Sequence, residues 1–306
     1  MSTQHKLLPS CLIPEVYSPW QTQPGFVARQ IERIAKEGFY RSIEISRVLE
    51  ATDRAAIRSI CAEHGLYVSM WLTAMLEANG LDLTSVDESL RQRSAEAIKQ
   101  ALPEAAACGA RTISLVGGSD PGPDLRRRGY DSCYASLMEI CAAASGLGMT
   151  VMFEPLDRFA HKKRLVGPAD EAVEVFERVR ATYPDFGFAF DTAHTELNEE
   201  DIEASLALAK AQVANVHLSN AVLDKASPLY GDHHMMPGAP GFLTVERAAA
   251  IVAAVVRLGI APERGLPVAV EARARPTDGE QSTADIAEDF LKAVFAKAGI
   301  ATGAGA

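Results

Sequence analysis

Three acidic residues and one histidine stand at the ends of short apolar segments in the second half of the chain. They are Glu154, Asp191, His217 and Glu271. Continuous apolar segments of this kind are typical of strands in a parallel sheet that is covered on both faces. Because the C-terminal ends of parallel strands lie at the same end of a sheet, we expect the four side chains to converge. Three carboxylates would repel one another there without a divalent cation between them, so the pattern predicts a metal site.

These segments belong to a regular alternation of strands and helices. The sequence predicts strands near 8–13, 40–46, 66–72, 111–116, 149–154, 186–191, 213–218 and 267–271. It predicts helices near 25–37, 52–64, 86–107, 132–145, 169–180, 199–210, 244–258 and 283–297. Eight such pairs indicate an α/β protein with a closed (β/α)8 TIM barrel. A doubly wound open sheet is the main alternative, but no glycine-rich phosphate loop follows the first strand.

Several residues mark predicted helix ends. Asn198 precedes a run of acidic residues, which is typical of an N-cap. Ser282 and Asp285 have the spacing of a capping box. Gly299 is expected to end the last helix, and residues 301–306 to form a flexible tail.

Composition indicates an enzyme-sized, single-domain chain, with the barrel expected over residues 1–300. The 306 residues include 30 Lys and Arg against 40 Asp and Glu, a net charge of −10. This balance argues against nucleic acid or an anionic membrane as the main partner, because both are bound through cationic side chains. Five cysteines without CxxC spacing, and the lack of a signal peptide or membrane span, favour a cytoplasmic protein. A homo-oligomer is possible.

The ordered motifs resemble those of the xylose isomerase-like TIM barrels, a group that includes sugar isomerases, sugar epimerases and endonuclease IV. The resemblance rests on Glu154-Pro-Leu-Asp-Arg158, Asp191-Thr-Ala-His194, His217-Leu-Ser-Asn220, Glu271 and the later Pro237-Gly-Ala-Pro-Gly241. It implies that Glu154, Asp191, His217 and Glu271 bind one divalent ion. Mn²⁺ is the first expectation, with Mg²⁺, Co²⁺ or Zn²⁺ as alternatives. An oxygen-rich donor set with one imidazole independently favours such ions over a thiolate zinc site.

The chemistry expected of such a site is proton abstraction next to a carbonyl through a metal-stabilised enediolate. Glu154 and Glu271 would move the proton, and His194 would face the substrate carbonyl. The outcome would be isomerisation or epimerisation of a small polyhydroxy carbonyl compound. Further candidate substrate contacts are Arg158, Trp71 and His234. Arg158 has a structural alternative, which is to hold a neighbouring acid in place, and Trp71 has another, which is to pack in the core.

The chain also departs from the family pattern. Sugar epimerases of the group usually carry a second Glu where Phe159 and Ala160 stand here, and an Arg where Leu223 stands. A lyase or dehydratase acting on a keto-sugar, keto-inositol or keto-glycoside is therefore an alternative, with His233 or, by preference, His234 as the extra acid. A phosphodiesterase or a non-catalytic binding protein also stays open. DNA repair is disfavoured, because no histidine ends the third or fourth strand.

Overall fold

The computed structural model describes residues 7–260 and 262–300, so the predicted tail at 301–306 lies outside the described residues. The strands are β1 (Leu7–Leu12), β2 (Ser42–Ile45), β3 (Tyr67–Trp71), β4 (Thr112–Val116), β5 (Thr150–Glu154), β6 (Gly187–Asp191), β7 (Val213–Val222), β8 (Gly231–Met235) and β9 (Leu266–Glu271). The helices are α1 (Ile13–Val16), α2 (Phe26–Glu37), α3 (Ala51–Glu63), α4 (Thr73–Ala78), α5 (Glu88–Ala107), α6 (Arg126–Ser145), α7 (Ala169–Arg180), α8 (Thr192–Leu197), α9 (Ile202–Ala209), α10 (Val245–Arg257) and α11 (Ser282–Lys297).

Eight of the strands form a closed parallel barrel, as the sequence predicts. The strand order is β6-β5-β4-β3-β2-β1-β9-β7, and a pairing between β6 and β7 closes the ring. The register aligns Val116 with Glu154 and Asp191 with His217. Each of the eight predicted strands has a counterpart, so the (β/α)8 prediction is confirmed. The closure brings the C-terminal ends of β5, β6, β7 and β9 to the same end of the barrel.

The ninth strand, β8, was not predicted. β7 continues to residue 222, beyond its predicted end at 218, and β8 pairs with this extension in an antiparallel hairpin. Pairing aligns Asn220 with Met235 and Val222 with Gly231. The segment Gly-Asp-His-His-Met has no apolar run, so periodicity gave no signal for a strand. The hairpin carries its histidines over the C-terminal end of the barrel.

Two of the predicted helix caps are wrong. Asn198 ends α8, and Asp201 caps α9 by accepting a hydrogen bond from the Ala204 amide. Ser282 already lies in the first turn of α11, where no side chain caps the helix. Helix α6 begins at residue 126, earlier than the predicted 132. Gly299, with a φ of 70°, follows the end of α11 as predicted.

Apolar side chains pack on both sides of the barrel wall. The larger core lies between strands and helices and contains Phe153, Phe176 and Phe188. Inside the barrel a smaller cluster consists of Leu12, Trp71, Met152, Ala189, Ala214 and Ala269. The small alanines leave room beneath the C-terminal end, where the polar residues gather. Among the described helices, none is both long and apolar enough to cross a membrane.

Candidate metal and substrate site

The four residues converge as predicted, although His217 lies midway along β7 and not at its end. Glu154, Asp191 and Glu271 are the last residues of β5, β6 and β9, and His217 lies in β7 beside Asp191. Each side chain offers one oxygen or nitrogen atom, and these atoms lie within 4.8 Å of one another. All four side chains are buried. Strands hold such groups more precisely than loops do, so the arrangement is preorganised.

The electrostatics of this cluster fit a cation. Burial, with Glu271 and Glu154 nearby, raises the pKa of Asp191 to about 8, although His194 acts in the opposite direction. Burial also raises the pKa of Glu154. Among the described residues, the buried Asp191 Oδ2 has no hydrogen-bond partner. A divalent ion would bind that oxygen and allow all three carboxylates to ionise, and three carboxylates with one imidazole suit Mn²⁺, Mg²⁺, Co²⁺ or Zn²⁺.

His217 lies between carboxylates on both of its ring nitrogens. Its Nδ1 is 3.1 Å from Glu271 Oε2 and 3.6 Å from Glu154 Oε1. Its Nε2 is 3.0 Å from Oε2 of Glu44, a buried residue of β2. Glu44 was not predicted from the sequence. A single acid within the otherwise apolar Ser42-Ile-Glu-Ile segment was the signal that could have found it.

His194 lies in the first turn of α8, immediately after β6. Asp191 caps this helix by accepting a hydrogen bond from the backbone N–H of His194. The ring Nδ1 is 3.2 Å from Asp157 Oδ2, and Nε2 is 3.8 Å from Asp232 Oδ2. Burial lowers the pKa of His194, but Asp191, Asp157 and Asp232 outweigh it and raise the pKa to about 10. Neither Asp157 nor Asp232 was predicted from the sequence to be a site residue.

A cavity of about 190 Å³ opens above the cluster. One wall is apolar and includes Trp71, whose ring centroid lies 4.8 Å from that of His217. The predicted residues that line the cavity are Trp71, Glu154, His194, His217, His234 and Glu271. Lys162 and Arg273 also line it and were not predicted.

His234 reaches this cavity from β8. Its Nδ1 is 2.9 Å from Glu271 Oε1, but the two atoms are not aligned for a hydrogen bond. Its Nε2 is 3.1 Å from Nζ of Lys162, which also forms an ion pair of 3.0 Å with Asp232. An ammonium group has no acceptor, so Nε2 of His234 accepts this hydrogen bond. His233 instead packs against the His161 ring.

Arg158 does not take the position that the sequence suggested. Its guanidinium donates to both carboxylate oxygens of Glu171, at 2.7 and 2.9 Å, and also contacts Tyr130 and the Leu165 carbonyl. Tyr130 lies in α6, Glu171 in α7 and Leu165 in the loop between β5 and α7, and none of them lines the cavity. The expected substrate contact of Arg158 is therefore corrected, because all of these hydrogen bonds hold the loop.

A second group of metal-binding residue types lies next to the first. Glu15, His234 and Glu271 also offer atoms within 4.8 Å of one another. The guanidinium of Arg273, however, donates to both Glu15 oxygens at 2.6 and 2.8 Å. This paired geometry satisfies the Glu15 carboxylate, so the second group does not favour another cation.

Solved structures of the same fold include several sugar epimerases. An L-ribulose 3-epimerase is 19% identical and superposes with a TM-score of 0.69 over 96% of this chain and 95% of its own. A D-psicose 3-epimerase crystallised with D-fructose is 16% identical, with a TM-score of 0.70 over 96% of this chain and 100% of its own. The IolI protein with a zinc atom is 15% identical, with a TM-score of 0.71 over 95% and 99%.

A search of curated protein sequences found no match. A family model described as the xylose isomerase-like TIM barrel matches residues 31–294, which is most of the chain. This match agrees with the motif order read from the sequence and with the closed barrel. The chain belongs to the xylose isomerase-like TIM barrel family.

Proposed function

We propose that the chain is a divalent-metal-dependent isomerase or epimerase of a sugar-like polyhydroxy carbonyl compound. One observation carries this proposal. The carboxylates of Glu154 and Glu271 border the same cavity, belong to a cluster whose ligand atoms lie within 4.8 Å, and share the imidazole of His217. The fold shared with L-ribulose and D-psicose 3-epimerases supports the same substrate class.

The metal would be held by Glu154, Asp191, His217 and Glu271. When bound, a divalent ion supplies positive charge that keeps the carboxylates ionised and polarises a carbonyl group. Mn²⁺ is the first choice for this oxygen-rich set, and Mg²⁺, Co²⁺ and Zn²⁺ are alternatives.

The two glutamates would move the proton. Glu154 ends β5 and Glu271 ends β9, and these strands are separated by β6 and β7 in the barrel. The carboxylates therefore approach the cavity from different directions. One removes a proton from the carbon next to the carbonyl and the other returns a proton, which gives epimerisation, or a single glutamate does both, which gives aldose–ketose isomerisation. His194, held by Asp157, would donate to the carbonyl oxygen.

The cavity has the size and lining for a small polyhydroxy compound. Its volume of about 190 Å³ corresponds to roughly six water molecules in the liquid. The flat ring of Trp71 can pack on the C–H groups of a sugar, while His194, Lys162 and Arg273 offer hydrogen-bond donors to its oxygens.

The test is deuterium exchange in D₂O with a panel of free ketoses, keto-inositols and 3-keto-glycosides. The protein loaded with Mn²⁺ should catalyse the incorporation of deuterium at the carbon next to the carbonyl of at least one compound. A chelator should stop the exchange, and Mn²⁺ should restore it. Absence of exchange across the panel, or exchange that is insensitive to the chelator, would contradict the proposal.

A lyase acting on a keto-sugar or keto-glycoside is the second candidate, and His234 is the observation that favours it. Its Nδ1 is buried at the cavity wall, and among the described residues it has no aligned hydrogen-bond partner. An imidazole there could protonate a leaving oxygen. His234→Ala should then abolish formation of the elimination product while α-proton exchange continues. His233→Ala should change neither product formation nor exchange. If His234→Ala still formed the elimination product at the wild-type rate, the lyase candidate would be rejected and the isomerase proposal would stand.

A further inference from the structure

Glu44 is a completely buried acid that the proposed reaction does not use. It lies inside strand β2, between Ile43 and Ile45, and its exposed fraction is 0%. It does not touch the cavity described above. A buried carboxylate is costly unless donors surround it, so its partners should reveal why the barrel contains it.

Three donors surround this carboxylate. Ser10 Oγ donates to Oε1 at 2.8 Å. Trp71 Nε1 donates to Oε2 at 2.7 Å, and His217 Nε2 lies 3.0 Å from the same oxygen. Since an ionised carboxylate only accepts hydrogen bonds, Nε2 of His217 must carry the hydrogen. A lone pair on that nitrogen would face the oxygen and repel it.

The other ring nitrogen of His217 then faces the metal cluster. Nδ1 points toward Glu271 Oε2 and Glu154 Oε1, at 3.1 and 3.6 Å. We propose that Glu44 is the positioning residue of the metal centre. It keeps His217 protonated at Nε2, so that Nδ1 is the atom that binds the ion, and with the same oxygen it holds Trp71 as a cavity wall. The inference rests on the metal site of the proposed function.

The surroundings of Glu44 make it suited to this role. In the parallel register Glu44 aligns with Leu12 of β1 and with Ser69 of β3, so ladders on both sides fix its backbone. The Trp71 and His217 rings lie with centroids 4.8 Å apart and planes inclined by 34°. Partners that orient a metal-binding histidine through its second nitrogen typically change metal affinity by about 10- to 100-fold when replaced.

The first experiment measures Mn²⁺ affinity by competition with a chromophoric chelator. Glu44→Gln keeps the volume but removes the negative charge, so the Nε2 hydrogen faces either a neutral carbonyl oxygen, which accepts more weakly than a carboxylate, or an NH₂ group, which does not accept. Affinity should fall by about 10- to 100-fold. Ser10→Ala is the matched control, because it removes another hydrogen bond from Glu44 and leaves the contact with His217. It should weaken binding much less than Glu44→Gln. Equal losses in the two variants would overturn the proposal.

The second experiment needs no variant and therefore does not depend on the folding of Glu44→Gln. In protein labelled with ¹⁵N-histidine and loaded with Zn²⁺, the histidine whose signals move on loading should show hydrogen on Nε2 and metal at Nδ1. Metal at Nε2 would overturn the inference and leave the metal site intact. A wild-type protein that binds no Zn²⁺ or Mn²⁺ would instead overturn the proposed function together with the inference.

Discussion

The two halves of the barrel contribute to the cavity in different ways. Strands β5, β6, β7 and β9 provide the charged cluster of Glu154, Asp191, His217 and Glu271. Strands β1 to β4 provide an apolar wall, with Leu12, Trp71 and Val116, and below it Glu44. One half therefore carries the atoms proposed for the chemistry, and the other half orients them. In this proposal Glu44, which does not line the cavity, decides which atom of His217 would face a bound metal.

The halves also differ in how their charges are balanced. Glu44 is satisfied by three protein donors, and His217 beside it lowers its pKa against the effect of its burial. Across the barrel, burial keeps the pKa values of Glu154 and Asp191 above their ordinary range. His234 and His217 lower the pKa of Glu271 against the effect of its burial, so the dependence of ionisation on a bound cation should fall on Glu154 and Asp191.

The largest expected effect concerns the two glutamates of the charged half. Glu154→Gln and Glu271→Gln should each lower deuterium exchange next to the substrate carbonyl by about two to four orders of magnitude, because each removes a proton acceptor. The measurement is exchange at saturating Mn²⁺ by NMR. Glu44→Gln, from the supporting half, should lose exchange at Mn²⁺ concentrations that saturate only the wild type, and should regain most of it when Mn²⁺ is raised to saturate the variant. Identical losses in all three variants, unaffected by metal, would remove the distinction between the halves.

The next effect concerns stability. A ligand that binds the folded state alone stabilises it, by about 2.7 kcal/mol at 100 times its dissociation constant. We expect Mn²⁺ at that concentration to raise the free energy of unfolding by this amount, measured by urea denaturation with and without a chelator. Glu44→Gln should need more Mn²⁺ to reach the same gain. A free energy of unfolding that does not change when Mn²⁺ is added would show that the charged half does not bind the ion.

The smallest effect concerns the loop that Arg158 holds. Arg158→Ala leaves the Leu165 carbonyl with the Tyr130 hydroxyl as its donor, at 3.0 Å, but removes both hydrogen bonds to the Glu171 carboxylate, so the free energy of unfolding should fall by about 2 kcal/mol. Arg126→Ala removes the pair with Asp120, whose arginine side chain is 28% exposed against 1% for Arg158, and should cost less than about 1 kcal/mol. Metal affinity should stay close to that of the wild type in both. If Arg158→Ala lost metal binding but kept its stability, Arg158 would belong to the site after all.

The sequence predicts the barrel and its charged half well, for a physical reason. A strand in a parallel sheet is apolar throughout, so an acid such as Glu154 or Asp191 at its last position stands out against the run before it. Glu44 does not stand out in this way because it lies inside a strand. The pattern Ser-Ile-Glu-Ile is equally typical of a surface strand with alternating polar and apolar residues.

Long-range contacts account for the other differences. The β7–β8 hairpin pairs Val222 with Gly231 and Asn220 with Met235 across a connection longer than a tight turn, and the segment that forms β8 is mostly polar. Asn198 has the composition of an N-cap, yet its side chain accepts a hydrogen bond from the Arg158 backbone, 40 residues away. The same loop turns the Arg158 guanidinium toward Glu171, a partner that only the folded chain brings near. The helix and turn propensities of single residues do not predict such distant contacts.

Metal content tests the central claim most directly. Wild-type protein, His217→Ala and His64→Ala would each be equilibrated with Mn²⁺, dialysed and measured by elemental analysis. His64 is exposed at the end of α3 and serves as the matched histidine control. We predict about one ion per chain in the wild type and in His64→Ala, and none in His217→Ala, because a missing imidazole leaves three crowded carboxylates with an incomplete donor set. Full metal retention by His217→Ala, or a wild type without metal, would contradict the account.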